Sequence, residues 1–269
     1  MIQRLIALYG YRELIWNLTV RDLKARYKDS VLGFFWSLLN PLAMMAVFTI
    51  VFTVMLPNQS VENFPIFVLC ALLPWNFFTS GVLGGTTSVV GNGNLIKKVF
   101  FPREILPIAS VLSNLVNFLL ALVVLFVALI VFGAKISSDI WLLPIVISVQ
   151  FVFILGIVLF LSTLHVFYRD TIMIVDVVLL AAFFLTPVFY PMDIVPKNSD
   201  ILGFTIDIHR WLRILNPMAS LVTTYRNLFY FGFATGPDFF LRTAATSVTV
   251  FFAGYWFFLR FSGKFGEAV

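Results

Sequence analysis

RDLKARYKDSVLGFFWSLLNPLAMMAVFTIVFTVML, residues 21–56, passes from a basic segment into a long apolar one within a few residues, and that join decides the fold. Arg21, Lys24, Arg26 and Lys28 crowd its first turns. Trp16, Val20, Leu23 and Tyr27 recur at spacings of four, three and four, which places them on one helical face. A helix of that pattern, spanning residues 11–30, lies in the headgroup layer rather than across it. Between Ser30 and Glu62 the chain carries no charge. That run is far longer than the roughly 20 apolar residues needed to cross the hydrocarbon, so a first transmembrane span falls within residues 34–56.

The whole chain has the same character. Its 269 residues are 61% hydrophobic and only 12% charged, with a mean hydropathy of +1.00. That leaves too little polar surface to cover a water-soluble globule of this length, so the chain is an integral membrane protein. The net charge of +5 sits mostly near membrane ends, which assigns it to topology and lipid attraction and excludes nucleic acid as a partner. The single cysteine, Cys70, lies inside an apolar run, so no intramolecular disulfide forms and no metal site is expected. The N-terminal MIQRLIALYGYRE is broken by Arg4, Tyr9 and Arg12 and lacks a cleavage pattern, so it is expected to be retained.

Charge-free windows set the number of spans. Together with the first, they predict six, near residues 34–56, 65–89, 106–132, 141–164, 171–190 and 243–261, in one permease domain covering residues 1–269. With an even number of spans, both termini share a side that holds twelve of the 18 basic residues, which places them in the cytoplasm.

Two cytoplasmic turns stand out. In GNGNLIKKVFFPRE, residues 91–104, Gly91 and Gly93 can end one helix in a left-handed conformation, Asn92 or Asn94 can cap another, and Pro102 stops it. The exposed tip would carry Lys97, Lys98, Phe100 and Phe101. It reads either as a protein-docking knob or as an interfacial loop with snorkelling lysines and membrane-dipping aromatics. In HVFYRDT, residues 165–171, Arg169 and Asp170 read as topology-setting charge plus a helix cap from Asp170. Asp176 is expected to mark a later helix start rather than a proton relay.

Outside, residues 191–242 contain a short amphipathic piece at Ile206–Leu215, then an apolar stretch from Pro217 to Phe233 with Arg226 at its centre. A seventh span there would move Arg260 and Lys264 outside, so a re-entrant or surface helix is preferred. Asn40-Pro41 should kink the first span. Of the 32 phenylalanines most must face lipid or pack internally. Phe35, Trp36, Trp75, Phe77 and Phe78 sit near polar breaks and are the candidates for rings lining a sugar path. No GxxxxGK[ST] occurs, since Gly263-Lys264 is followed by Phe265, so any ATP-driven step needs another subunit.

LTVRDLKARYKDSVLGFFWSLLNPL at residues 18–42, ALLPWNFF at 71–78, NLIKKVFFPREILP at 94–107, FYRD at 167–170 and LNPM at 215–218 resemble, in this order, the membrane subunit of polysaccharide-exporting ABC transporters. That family includes O-antigen, capsule and teichoic-acid exporters. The resemblance implies an all-α integral membrane fold: six transmembrane helices, an N-terminal amphipathic interface helix, and re-entrant or outer gate helices between spans five and six. It implies a homodimer, two copies of an ATP-binding subunit, a lipid-linked polysaccharide as cargo and the bacterial inner membrane as location. ATP and magnesium would sit on the partner subunit, and no cofactor on this chain. By the same resemblance Arg21, Lys24, Arg26, Lys97, Lys98, Phe100, Phe101, Arg103 and Glu104 couple to the ATPase, with Arg169 and Asp170 beside them. Asn216, Pro217, Tyr225 and Arg226 fall in the outer gate. Two other classes fit the hydropathy. A secondary transporter would show two related halves with midplane charges or broken helices. An enzyme acting on lipid-linked sugars would need convergent acids or a Ser-His pair, yet His165 and His209 fall on opposite sides.

Overall fold

The computed structural model describes residues 8–26, 28, 30, 32–55, 63–133, 137–191, 198–201, 204–207, 216–233 and 235–269. Helix α1, Arg12–Arg26, opens with Glu13 in its first turn and closes with Lys24 and Arg26 in its last, charges that complement its dipole. It buries Leu18 and Thr19 and lies along the first turns of α5, Ile105–Val131, where the Thr19 hydroxyl donates to the Ala109 carbonyl at 3.4 Å. Trp16, by contrast, is exposed. Leu18 and Thr19 face the bundle, while Val20 and Leu23 are half-buried at its edge.

Helix α2, Trp36–Thr49, follows a 3-10 turn at Gly33–Phe35 and contains Pro41. It widens to a π-helix over Ile50–Met55, so this apolar rod runs unbroken from 33 to 55. The centre of the molecule is α3, Phe64–Gly91. Seventy-eight per cent of its most apolar window is inside the protein, against 22% for α9, Pro237–Ser262. Around α3 stand α5, α6 (Leu143–Phe167) and α8 (Pro217–Arg226), with α7, Thr171–Leu185, on the flank. The α6–α9 contact is close because glycine faces glycine: a Cβ on Gly254 would fall 2.0 Å from the Gly156 carbonyl oxygen. Small residues let membrane helices approach in this way without any hydrophobic drive between them.

Among the described residues, four helices are long and apolar enough to cross a membrane: α3, α5, α6 with its leading 3-10 turn, and α9. Helices α2 and α7 are apolar but shorter. Helix α8 adds ten residues and passes into a π-helix, Asn227–Phe231, ended by Gly232 at φ +78°. At about 1.5 Å per residue these fifteen residues rise about 22 Å, the same as the fifteen of α7 and less than a 30 Å hydrocarbon layer.

Several local expectations are corrected. Residues 198–207, within the region expected to be helical, hold an antiparallel pair. Strand β1, Asn198–Ile201, pairs with β2, Phe204–Asp207, with Asn198 opposite Asp207 and Ile201 opposite Phe204. Phe204-Thr205-Ile206-Asp207 alternates with period two, a strand pattern. The amphipathic piece expected at Ile206–Leu215 thus starts in a strand, and 208–215 lie outside the described residues. Helix α7 begins at Thr171, so Asp176 is an exposed residue of its second turn rather than a start. Asp170 occupies the cap position, but its side chain makes no capping bond. Neither Gly91 nor Gly93 is left-handed.

Candidate functional site

The segment after α3 builds a braced tip. Helix α4, Gly93–Lys98, is a short turn that ends where Val99 becomes extended at φ −129°, ψ 136°. Side chains of an extended segment alternate in direction. Phe100 is accordingly 100% exposed, whereas Phe101 is 8% exposed and packs inward. Lys97, Lys98 and Val99 are exposed around Phe100.

What holds the tip is the C-terminal end of the chain. The Arg103 guanidinium donates to the Ser262 carbonyl and lies 5.9 Å over the Phe265 ring. Phe265, in α10 (Phe265–Ala268), is fully buried and meets Phe258 edge-on at 5.2 Å and Phe167 at 6.2 Å. Glu104 is buried, and the Tyr255 hydroxyl on α9 donates to it at 3.5 Å. A Cβ on Gly93 would stand 2.3 Å from a Val269 methyl, so the turn and the last residue of the chain lie in close contact. Since Phe167 leads directly into Arg169 and Asp170, both exposed, these two charges share an end of the bundle with Lys97–Glu104. Arg21 and Lys24 lie exposed on α1 near the same end, Arg21 pairing with Asp22 at 2.8 Å. Exposed pairs of this kind contribute little to stability. Arg26 behaves differently: its Nη2 donates to Asn114 Oδ1 on α5 at 2.9 Å.

That bond lies on the wall of a cavity of about 270 Å3 between α1, α2, α3 and α5. Of the five aromatic path candidates only Trp36 and Phe77 line it. Phe77 stacks on Phe118 at 5.0 Å with the rings 5° from parallel. Phe35 is exposed on the outer surface. Trp75 and Phe78 are buried in the packing between helices, Trp75 at 5.5 Å from Phe183 and Phe78 stacked at 5.9 Å on Phe153. Asn40, Asn76, Asn114 and Asn117 also line the cavity. Sequence reading by aromatics passed over them, although Asn114 and Asn117 stand three apart on one helix face, a visible signal in an apolar span.

The outer candidates form a clasp. Asn216 caps α8 by accepting from the Ala219 N–H at 3.2 Å and donates to the Thr186 hydroxyl at 2.8 Å, with Pro217 in the first helical position. The Tyr225 hydroxyl donates to Gln150 Oε1 at 2.8 Å, and Gln150 in turn donates to the Pro74 carbonyl at 2.8 Å. Arg226 is only 3% exposed. It donates to the carbonyls of Phe67, Pro187, Val188 and Tyr190, with its guanidinium 3.7 Å above the Phe67 ring. Four of its five donors are taken by backbone oxygens, which ties α3 and the segment after α7 to α8. Among the described residues no group of His, Cys, Asp and Glu could hold a metal.

A helical bundle with several membrane-length apolar helices and a braced polar tip at one end is the architecture of a multi-pass membrane protein. The family profile described as ABC-2 type transporter matches residues 13–230, from the start of α1 to the π-helix after α8, and the chain belongs to that family. It is a transport subunit, not an enzyme. It is 35% identical over 269 residues, all of both chains, to the "O-antigen export system permease protein RfbA" of Myxococcus xanthus. Two Klebsiella pneumoniae proteins of the same name are 32% and 33% identical over 221 residues, covering 82% of this chain and 81% of theirs.

Proposed function

We propose that this chain is the permease half of an ATP-driven exporter moving a lipid-linked, O-antigen-like polysaccharide across the bacterial inner membrane. In this reading α2 with its π extension and α7 complete six crossings, both termini are cytoplasmic, and two copies assemble with two ATP-binding subunits. The observation that carries it is the division of labour at the tip. Phe100 presents a whole aromatic ring to solvent, while Phe101 is buried and Arg103 and Glu104 anchor the same segment to α9 and α10. A lone exposed ring on a rigid mount is the arrangement by which interface hot spots engage a partner pocket. The alternative of an interfacial loop with snorkelling lysines and membrane-dipping aromatics fits less well with Phe101 turned inward, which leaves one exposed ring of the pair.

Closure of the ATP-binding subunits would push on Phe100. The thrust would pass through Arg103 and Glu104 into α9, which meets α6 across the Gly156–Gly254 contact. Exposed cations on α1 would offer the ATPase a second hold. The name shared by the relatives supplies the cargo class. A direct test is disulfide trapping: F100C in the assembled complex should crosslink to a cysteine placed in the ATP-binding subunit. Labelling of F100C by a membrane-impermeant thiol reagent from outside intact cells would overturn the orientation and the reading with it.

A further inference from the structure

We infer that the cavity between α1, α2, α3 and α5 is a binding site for the phosphate-bearing, hydroxylated head group of a membrane lipid, with Arg26 as its anion ligand. The choice of lipid rests on the export reading; the site does not.

The cavity presents one guanidinium, Arg26, together with the carboxamides of Asn40, Asn76, Asn114 and Asn117 and the hydroxyls of Ser37 and Ser80. Among the described residues no carboxylate lines it. A cation with amides and no acid selects an anion with hydroxyls around it: guanidinium donates to phosphate oxygens, and amides both donate to and accept from sugar or glycerol hydroxyls. Arg26 spends one described hydrogen bond on Asn114 Oδ1, and Asn114 Nδ2 donates to the Ser110 carbonyl at 2.9 Å, so the asparagine is locked and fixes the arginine. The remaining guanidinium donors are available at the rim, where Arg26 is exposed.

Asn114 is nine residues into α5, about 14 Å from its start at 1.5 Å per residue, and Asn117 about 18 Å. The polar lining thus runs from the end that carries the tip to the middle of the bundle. Amides and a cation at such depth are costly in lipid and mark a functional position rather than packing. The lining farthest along α3 and α5 is apolar, Leu73 and Ala121. Trp36, 47% exposed, forms a wall at the surface of the bundle, so a head group can enter sideways while its chains remain in the lipid.

Size decides between anchor and conduit. At about 270 Å3 the cavity is just under the range of small-molecule sites, which starts at about 300 Å3. It holds one head group and no polymer. A lipid-linked glycan would dock here by its phosphate terminus while the sugar chain takes another route, and an anionic phospholipid offers the same phosphate and hydroxyls.

The experiment uses the full chain alone in phosphatidylcholine nanodiscs, so its outcome does not depend on the ATP-binding partner. Binding of two probes is measured: a short isoprenoid diphosphate carrying one hexose, and short-chain phosphatidylglycerol. R26Q should weaken binding of the occupant about tenfold or more, and N76A, on the opposite wall, several-fold, while R242A, exposed on α9 and outside the cavity, leaves it unchanged. Loss confined to the isoprenoid probe identifies the lipid-linked glycan as occupant. Loss confined to phosphatidylglycerol, or shared by both probes, establishes the head-group site with membrane phospholipid as an occupant. Should R26Q disturb folding, N76A decides, because it leaves the Arg26–Asn114 bond intact. Equal binding of both probes to wild type, R26Q and N76A, or no binding, overturns the site while leaving the export reading untouched.

Discussion

Replacing Phe265 with alanine separates the brace from the fold. The ring is completely buried against Phe258, Phe167 and the Arg103 guanidinium, yet it belongs to a four-residue helix at the edge of the bundle. Truncating a buried phenylalanine costs about 3–5 kcal/mol. A helix of four residues has no stability of its own to set against that loss. Three kcal/mol corresponds to a shift of about 10²-fold in the docking equilibrium of α10, at roughly 1.4 kcal/mol per tenfold. Because α10 meets α4, Arg103 and the near ends of α6 and α9, the bodies of α3, α5 and α6 should remain folded. Hydrogen exchange followed by mass spectrometry should then show faster exchange of peptides covering 93–104 and 263–269, with 64–91 and 143–167 unchanged. In the assembled exporter ATP hydrolysis should persist while glycan export falls at least tenfold, and F265L, which refills much of the volume, should restore most of it. Unaltered exchange at 93–104 in F265A, or full export with α10 undocked, would refute the claim that the C-terminal helix holds the tip.

Three further outcomes follow from the same geometry. F100A should leave thermal stability in detergent unchanged, since the ring has no packing to lose, but should reduce copurification of the ATP-binding subunit about tenfold; equal recovery would remove Phe100 from the interface. R226M strands four backbone carbonyls, each costing about 1–3 kcal/mol when buried unpaired, so the melting temperature should drop steeply, with R226K recovering part of it; a melting temperature like the wild type would show that the clasp is dispensable. G254V places methyls into the Gly156 carbonyl and should abolish membrane accumulation of folded protein, measured by fluorescence size-exclusion, whereas G91A, with open space at its Cβ, should accumulate normally.

Much of this was legible from residue patterns, and the failures have physical causes. Charge-free runs located the apolar helices because hydrocarbon tolerates no alternative to an uninterrupted backbone ladder. The tip at Lys97–Glu104 was visible as paired phenylalanines beside lysines. The opposite fates of Phe100 and Phe101 were not, because they depend on Val99 turning extended. Arg226 read as a charge at the centre of an outer helix. Its four carbonyl partners come from two distant segments, which no local pattern reveals. Choosing path residues by aromaticity grouped Trp75 and Phe78 with Phe77, although one helix turn carries the three to different neighbours. The β1–β2 pair was missed because four-residue strands fall below the window in which helical periodicity is judged.

The central claim, that motion is delivered to this chain by a separate ATPase through the Phe100 tip, is tested most directly in proteoliposomes loaded with lipid-linked glycan. Transport should require both the chain and the ATP-binding subunit with ATP, and should be lost with F100A while the variant chain remains folded. Glycan movement by the chain alone, driven by an ion gradient in the absence of ATP, would contradict the account.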